Sequence, residues 1–169
     1  TRALAIDRRA EGYSNIAVNQ KDSAAVALDH LVDLGHRRIA YLAGPDSTLN
    51  ARERLEGFLN RAEAIRAGGT ALDIVICPGE FNFHSGERLA RQLLERPTAE
   101  RVTAIAAASD QQAIGAIRAA RDLGQSVPAD LSVVGFDDIT LASLVVPRLT
   151  TVQQPVKEMV EAALHLALD

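Results

Sequence analysis

The feature that most constrains the fold is an alternation of short apolar runs with segments of helical periodicity. The apolar runs lack the in–out pattern of a half-exposed strand, which predicts strands covered on both faces. Between them, apolar residues recur at helical spacing, most clearly where Leu55, Phe58 and Leu59 occur. Strands that alternate with helices over such short connections favour right-handed crossovers. The sequence therefore predicts an α/β fold with a doubly wound parallel sheet.

Glycine and proline residues delimit the predicted elements. Strands are predicted over residues 15–18, 38–43, 72–77, 102–108, 131–135 and 149–152. Helices are predicted over residues 22–34 and 51–65, ahead of Pro97, over residues 110–123 and from Pro155 onward. Gly35 is expected to end the first helix in a left-handed conformation, because it has no Cβ. Asp110 is expected to cap the fourth helix.

Composition excludes several classes of protein. The chain of 169 residues is 47% hydrophobic and 24% charged, as in globular domains. No apolar run approaches the roughly 18 residues of a transmembrane helix, and no membrane partner is expected. One cysteine excludes an internal disulfide framework and a structural zinc cluster. The net charge of −4 argues against this surface wrapping nucleic acid by itself.

Both ends of the sequence lie within regular patterns. The chain opens at Thr1 and runs directly into an apolar stretch, and the last helical pattern continues almost to Asp169 without a stop signal. Because domains rarely begin and end inside regular elements, we expect a longer protein that has been cut at both ends.

Signatures of catalysis and of cofactor binding are missing from the sequence. It contains no G-x-G-x-x-G motif after a strand, no phosphate-binding P-loop motif, no nucleophile elbow and no H-E-x-x-H motif. The four histidines are scattered, and Cys77 lies in an apolar strand, where a buried structural role is expected. We therefore predict no cofactor, no metal and no enzymatic activity.

Ligands of doubly wound sheets bind outside the carboxyl ends of the strands, which directs attention to the residues there. Asp137 and Asp138 follow a predicted strand directly. Their carboxylates are compatible with a magnesium site, with hydrogen bonds to ligand hydroxyl groups, or with a turn or helix cap. A magnesium site of the phosphoryl-accepting kind would want a neighbouring lysine, and the lysines lie elsewhere.

Two further features point to the same edge of the sheet. Arg52 and Arg54 open the most regular helix, where the helix dipole disfavours a cation; they are either surface residues or donors to hydroxyl, carboxylate or phosphate groups. Phe81 follows a strand end, where it is either part of the core or a flat surface for a sugar or base.

Four motifs and their continuation resemble LacI/GalR-type transcription regulators. The segments are LGHRRIAYLAGP at residues 34–45, ARERLEGF at residues 51–58, SDQQAIGA at residues 109–116 and VPADLSVVGFDD at residues 127–138, followed by PRLTTVQQP at residues 147–155. They occur in the family order and at the family spacing, and together they cover nearly the whole chain. A resemblance on several spaced motifs is far more specific than one on any single motif.

The resemblance implies the carboxyl-terminal lobe of a type I periplasmic-binding-protein-like effector domain. It implies a trailing piece of the first lobe over residues 1–18, a second lobe over residues 19–150, and a crossover and returning helix over residues 151–169. The helix-turn-helix headpiece that binds operator DNA is absent from this chain. The implied protein is cytoplasmic and senses a small effector, a sugar or related polyol ahead of a purine.

Ligand-binding roles follow from the resemblance residue by residue. Arg54 matches the arginine that holds effector hydroxyl or carboxylate groups, and Asp137 the carboxylate facing it across the cleft. Phe81 matches the aromatic residue on the ligand face, and Gln154 a glutamine near the hinge. Ser109 replaces the commoner asparagine in a position that touches ligand. Asn50 and Asp7 are weaker candidates, and Asp110 is assigned to helix capping.

A homodimer is also expected, through a surface on the second lobe. Its predicted members are the helix over residues 110–123 and an apolar cluster of Leu141, Leu144, Val145 and Val146, for which core packing is the alternative. The main alternative function is a periplasmic sugar-binding protein of a transport system, which shares the fold. An enzyme of another doubly wound family is the third, and less favoured, class.

Overall fold

The computed structural model describes residues 4–7 and 11–168 of the chain. The strands are β1 (Leu4–Ile6), β2 (Ser14–Ile16), β3 (Arg38–Leu42), β4 (Asp73–Cys77), β5 (Ala104–Ala107), β6 (Ser132–Asp137) and β7 (Thr150–Gln153). The α-helices are α1 (Gln20–Asp33), α2 (Leu49–Ala67), α3 (Phe83–Leu94), α4 (Asp110–Asp122) and α5 (Val156–Leu168). Short 3₁₀ turns lie at Thr98–Glu100 and Thr140–Ser143.

Five of the strands form one parallel sheet in the order β4-β3-β5-β6-β7. Strand β5 is at its centre, and β3 pairs with β4 on one side and β5 on the other. Strand order reverses beside β3, so connections leave β3 and β5 in opposite directions across the sheet. This is the doubly wound α/β architecture that the alternating pattern predicts.

Helices cover both faces of this sheet, which explains the continuous apolar strands. Ile39 and Tyr41 pack in a buried cluster with α1 and α2, whereas Ala40 and Leu42 pack in a second cluster with α3 and α4. Phe58 of α2 is fully buried, and its ring centroid lies 4.4 Å from that of Tyr41. Successive residues of β3 thus enter two different cores, as the period of two in a strand requires.

Close contact between α3 and α4 depends on glycine. A Cβ at Gly86 would lie 2.1 Å from the carbonyl oxygen of Gln112, and one at Gly115 would lie 2.1 Å from that of Phe83. Real Cβ atoms do not come so close, so each helix needs a glycine where the other crosses it. This crossing holds the amino end of α4 at the carboxyl edge of the sheet.

Strands β1 and β2 form a separate parallel pair, with Leu4 opposite Ser14 and Ile6 opposite Ile16. Helix α5 contacts both of these strands. Strand β1 was not predicted from the sequence, and the strand predicted over residues 15–18 begins one residue after β2 does. Strand β7 also continues to Gln153, three residues beyond the predicted lobe boundary at residue 150.

Side chains that precede the helices cap their free N–H groups. Asn19, Thr48, Asn82 and Ser109 accept hydrogen bonds from the first turns of α1 to α4. The prediction that Asp110 caps α4 is wrong, because Ser109 is the cap and Asp110 is the first helical residue. Gly35 does end α1 in the left-handed region, at φ 92°, which confirms that prediction. No helix among the described residues is long and apolar enough to cross a membrane.

Candidate functional site

Arg54 lies at the centre of the carboxyl edge, although it belongs to the first turns of α2. Only 4% of the residue is exposed. Its guanidinium carbon lies 3.8 Å from the ring centroid of Phe136 and 5.6 Å from that of Phe81. A cation stacked on two aromatic rings in a buried position must also be hydrogen-bonded, because desolvation of an unpaired charge is costly.

Each nitrogen of the Arg54 guanidinium donates a hydrogen bond to a different part of the chain. Nε donates to Gln20 Oε1 at 2.8 Å, Nη1 to the carbonyl oxygen of Ala108 at 2.6 Å, and Nη2 to Asp137 Oδ1 at 3.1 Å. The arginine thereby joins helices α1 and α2 to the ends of strands β5 and β6. Rotation of this side chain would break all three bonds.

Asp137 ends strand β6 and brings the crossover to β7 into the same network. Gln154 Nε2 donates to Asp137 Oδ1 at 3.1 Å, so this oxygen accepts from both Gln154 and Arg54. Burial raises the pKa of Asp137, against the lowering effect of Arg54 and of the Gln154 hydrogen bond. The carboxylate is thus partly desolvated in its charged form, which is the condition under which a ligand hydroxyl group gains most by donating to it.

Asp7 faces this network from the loop that follows β1. Gln20 Nε2 donates to its carboxylate at 3.4 Å, and Asn50 Nδ2 lies 3.3 Å from both its backbone carbonyl and its carboxylate. Gln20 is 2% exposed and bonds both Asp7 and Arg54. The end of β1 is thereby tied to the carboxyl edge of the large sheet.

A cavity of about 590 Å³ opens beside these residues. It lies between the small sheet and the end of β6, and α5 closes one side. Its lining is Ile6, Asp7, Asp137, Asp138, Ile139, Thr140, Gln154, Val156, Met159 and Val160. Apolar walls with a few convergent polar groups at one end are the usual form of a small-molecule site, and this volume is within the usual range.

Five of the seven predicted ligand-binding residues therefore meet in one place. Asp7, Asn50, Arg54, Asp137 and Gln154 belong to one hydrogen-bonded network, joined through Gln20. Three of the five, all but Asn50 and Arg54, also line the cavity. Their roles toward a ligand stay predictions.

The other two predicted residues lie differently. Phe81 packs against the core cluster of α1 and α2 and against Gly44, where a Cβ would lie 2.2 Å from its ring. Ser109 is 4% exposed, and its hydroxyl group accepts from the backbone N–H of Gln112. Neither lines the cavity beside Asp137. Phe81 packs against the core, which was one of its two predicted alternatives, whereas the capping role of Ser109 was not predicted. The ligand contacts of both residues stay predictions.

Two residues of the site escaped the sequence analysis. Gln20 carries only a weak signal, a polar side chain in the first turn of a helix that follows a strand. Asp110 was noticed and given another role. Its buried carboxylate accepts from Thr151 Oγ1 at 2.5 Å and from the backbone N–H of Ile139 at 2.8 Å, and burial raises its pKa. It thus links α4 to the crossover strand β7.

The Asp137–Asp138 pair does not gather further ligands for a metal. Among residues 4–7 and 11–168, no group of three or more His, Cys, Asp or Glu side chains is placed to hold an ion. Asp138 instead accepts from Gln153 Nε2 at 3.0 Å. Both carboxylates thus accept hydrogen bonds from protein side chains, and hydrogen bonding of this pair to ligand hydroxyl groups stays a prediction.

The predicted dimer surface is partly exposed. Leu144 is 68% and Val146 77% exposed, and Leu141 is also exposed, whereas Val145 packs against the core beside α3 and α4. Most of α4 is buried between α3 and the sheet. Arg121 of α4 donates to the carbonyl oxygen of Val146 at 3.0 Å, so the exposed apolar cluster is attached to this helix.

Comparison with known proteins shows which proteins this chain is similar to. The family model for the periplasmic binding protein-like domain matches residues 28–169. The ribose operon repressor of Escherichia coli (strain K12) is 40% identical over 143 residues, which are 85% of this chain and 42% of the repressor. The HTH-type transcriptional regulator GalR of the same strain is 36% identical over 165 residues, covering 96% of this chain and 47% of GalR.

Solved structures give the same result. A LacI family transcriptional regulator from Enterococcus faecium, with bound ribose, aligns with a TM-score of 0.84 at 27% identity, covering 98% of this chain and 60% of that one. The chain spans less than half the length of the curated relatives named above. These relatives are regulators by name, neither enzymes nor transport proteins.

Proposed function

Because the chain belongs to the periplasmic binding protein-like family in its LacI/GalR-type form, we propose that it is the effector-sensing part of a transcription regulator. The observation that carries the proposal is the network of Arg54, Asp137 and Gln154 beside a cavity of about 590 Å³. The family and fold predicted from the motifs are confirmed. An enzyme and a transport protein are not favoured, since the named relatives are regulators.

We propose the two-lobe division of the sequence analysis for the domain organisation. Residues 1–18 and 151–169 belong to the first lobe or the crossovers, and residues 19–150 form the second lobe. The separate pairing of β1 with β2, and the contacts of α5 with both strands, support this assignment. The effector then lies between the lobes, where Asp7 of one side meets Asn50 and Asp137 of the other.

The effector in this proposal is a sugar or related polyol, ahead of a purine. Adjacent hydroxyl groups both donate and accept, and Asp137 and Gln154 offer acceptors beside the apolar wall of Met159 and Val160. The ribose operon repressor and the ribose-bound regulator of Enterococcus faecium carry sugars in their names. Phe81 and Ser109 are proposed to contact the effector as well, although neither lines this cavity.

Effector binding would act by changing how the two lobes are arranged. A ligand shifts such an equilibrium only by its differential affinity for the two arrangements, and couplings of about 1–3 kcal/mol are usual. Operator DNA would bind through a helix-turn-helix segment outside these residues, as the HTH-type description of GalR suggests. We therefore propose that the protein acts in the cytoplasm, where the DNA is.

The experiment that tests the site is calorimetric titration of the full-length protein with D-ribose, D-galactose and D-glucose. We expect one of them to bind, and Asp137→Asn and Gln154→Ala to weaken its binding about tenfold, because each change removes one hydrogen bond to a buried group. Operator affinity without sugar should stay the same.

The matched control is Asp33→Asn, which makes the same change of charge at the far end of α1, on the opposite edge of the sheet. It should leave sugar affinity unchanged. Equal sugar affinity in the Asp137→Asn and Gln154→Ala variants and the parent would remove both residues from the site.

A homodimer formed by Leu141, Leu144, Val146 and the exposed stripe of α4 is the second part of the proposal. Leu144→Lys should give a folded monomer in sedimentation, because it places a charge in the apolar cluster. The control is Val26→Lys, at a residue on α1 that is 58% exposed, and it should stay dimeric. Val145 is a poor test residue, since it packs against the core. A dimer in the Leu144→Lys variant would contradict this surface.

A further inference from the structure

We propose that this cleft selects ligands that carry no negative charge. A neutral or amino-substituted polyol binds, and the phosphate ester of the same sugar is rejected. The inference rests on the proposed effector site and deepens it, because it states the charge and the hydrogen-bonding character of the effector. The hydrogen-bond acceptors, donors and charges around the cavity support this inference.

Acceptors dominate the polar lining of the cavity. The carboxylates of Asp7, Asp137 and Asp138 all face it, and Lys, Arg and His are missing from its lining in the described part of the chain. Gln154 Oε1 is buried and has no hydrogen-bond partner among the described residues. A buried acceptor without a donor is costly unless a ligand or water supplies one. Because carboxylates make up most of the polar lining, the cavity suits a ligand that donates hydrogen bonds.

The nearest cation does not change this balance. Three of the five N–H groups of Arg54 donate to Gln20, Ala108 and Asp137, its side chain is only 5% exposed, and it is not part of the cavity lining. An anion in the cavity would therefore meet the lining carboxylates before it met this guanidinium.

Among residues 4–7 and 11–168, Lys157 is a further cation near the cleft, and it lines an adjoining cavity of about 390 Å³. Its side chain is 84% exposed and lies between acidic neighbours: Glu158 shares the cavity, and Glu161 is 3.9 Å away. A strongly hydrated, flexible ammonium group in this position neutralises little of the charge inside the cleft.

Phosphate and carboxylate groups are acceptors, so they offer nothing to Gln154 Oε1 and are repelled by the lining carboxylates. Hydroxyl groups can donate to the same oxygens, and an ammonium group adds attraction. The expected order is an amino sugar at least as tight as the neutral sugar, and a phosphate ester at least tenfold weaker. Because the repulsion is electrostatic, the difference should shrink as salt increases.

The test is calorimetric titration of the full-length protein with matched sets of ligands. These are D-ribose with ribose 5-phosphate, and D-glucose and D-galactose with their 6-phosphates and their 2-amino analogues. For the set that contains the tightest neutral sugar, we expect the phosphate ester to bind at least tenfold more weakly at low salt.

Asp138→Asn localises the effect to the cleft. Asparagine accepts the left-handed backbone of this residue (φ 58°) and removes one charge from the lining, so the phosphate discrimination should fall several-fold. Asp33→Asn, with the same change of charge at the other edge, should leave the discrimination intact. Equal discrimination in both variants would overturn the assignment to the cleft carboxylates.

The outcomes separate the two proposals. A phosphate ester that binds as tightly as its neutral sugar overturns the charge inference and leaves the sugar-sensing function standing. An amino sugar that loses more affinity than the phosphate ester also overturns it. If none of these sugars binds, whatever its charge, the proposed sugar-sensing function fails and the inference fails with it.

Discussion

His36 at the amino edge of the large sheet and Arg54 at its carboxyl edge both join strands β5 and β6, but one is neutral and the other is charged. The His36 ring lies 2.8 Å from Thr103 Oγ1 and 2.9 Å from Ser132 Oγ, so a neutral residue ties together the starts of β5 and β6. Arg54 ties together the ends of the same two strands, but through a buried charge and a carboxylate. The first arrangement contains no ion pair, whereas the second places a buried guanidinium and a carboxylate beside the cavity that Asp137 lines.

The backbone shows the same contrast. At the amino edge, left-handed residues are glycines, Gly35, Gly69 and Gly124, each just after a helix. At the carboxyl edge they are Asp137 and Asp138, at φ 117° and 58°. Glycine takes such a conformation without strain, and a side chain there is retained only where something else requires it. This contrast agrees with our proposal that the effector binds at the carboxyl edge.

Replacing one arginine at each edge by alanine should give the largest difference in stability between the two edges. Arg54→Ala should lower the free energy of unfolding by about 3 kcal/mol, because Asp137 loses its cationic partner and Gln20 Oε1 loses its donor. Arg37→Ala, at an exposed amino-edge arginine that donates to Val32 and His36 carbonyl oxygens, should cost less than about 1 kcal/mol. Urea unfolding measures both. Similar losses would show that the buried position of Arg54 is not what matters.

Helix α4 offers the second test, since it has an aspartate at each end. Asp110→Ala should cost about 2–3 kcal/mol, because Thr151 and the Ile139 N–H lose a buried acceptor. Asp122→Ala removes an exposed partner of Arg91 at 2.7 Å and should cost at most about 1 kcal/mol. Thermal unfolding of both variants gives the comparison, and a larger loss at Asp122 would reverse the roles of the two ends.

Left-handed residues provide the third test. Gly35→Ala places a Cβ at φ 92° with no neighbour within 4 Å, so its expected cost of about 1 kcal/mol comes from the backbone alone. Asp138→Gly should change stability by less than about 0.5 kcal/mol, because relief of the strained backbone offsets the added freedom of the unfolded chain. Its sugar affinity should fall, while that of Gly35→Ala should not. Unaltered sugar affinity in the Asp138→Gly variant would contradict the proposed difference between the left-handed residues of the two edges.

The smallest expected effect is a pH dependence of opposite sign at the two edges. Burial lowers the pKa of His36 below 6.5, with Arg37 and His30 adding to it, so the unfolded chain gains a proton first and stability is lost as the pH falls below 6.5. Burial raises the pKa of Asp110 above 3.8, so the folded chain keeps a proton longer and stability is lost as the pH rises above 3.8.

Single variants separate these opposing contributions, which partly cancel in the parent. Relative to the parent, His36→Gln should gain stability as the pH falls from about 7 to 5, and Asp110→Asn should gain stability as it rises from about 4 to 6. The measurement is urea unfolding across this range. Curves that run parallel to the parent in both variants would mean that neither ionisation is linked to folding.

Local patterns were sufficient to predict most of the elements. The apolar spacing in residues 51–65 predicts α2, observed as Leu49–Ala67, and the strands around Ile39 and Ile105 follow from their continuous apolar character. Strand β1 was missed because three residues carry no detectable period. Helix capping was predicted one residue away, since Ser109 and Asp110 are both good caps and only the backbone at Ser109 distinguishes them.

The residues of the site also divide into some that the sequence predicted and others that it did not. The motifs pointed to Arg54, Asp137 and Gln154 because these positions follow strand ends, and parallel strands bring their carboxyl ends to one edge. Gln20 and Asp110 were not recognised, because their importance lies in what they bond. A glutamine in a first helical turn has no distinctive pattern until Arg54 and Asp7 are placed on either side of it.

The α/β class, the order of the elements and the family could be predicted from the sequence, because hydrophobic periodicity and motif spacing are properties of neighbouring residues. Which polar groups are satisfied, and which face a cavity, depends on how distant segments pack. Arg54 is separated from Asp137 by 83 positions and from Ala108 by 54. A hydrogen bond depends on distances of about 3 Å between such positions, and those distances exist only after both cores have packed.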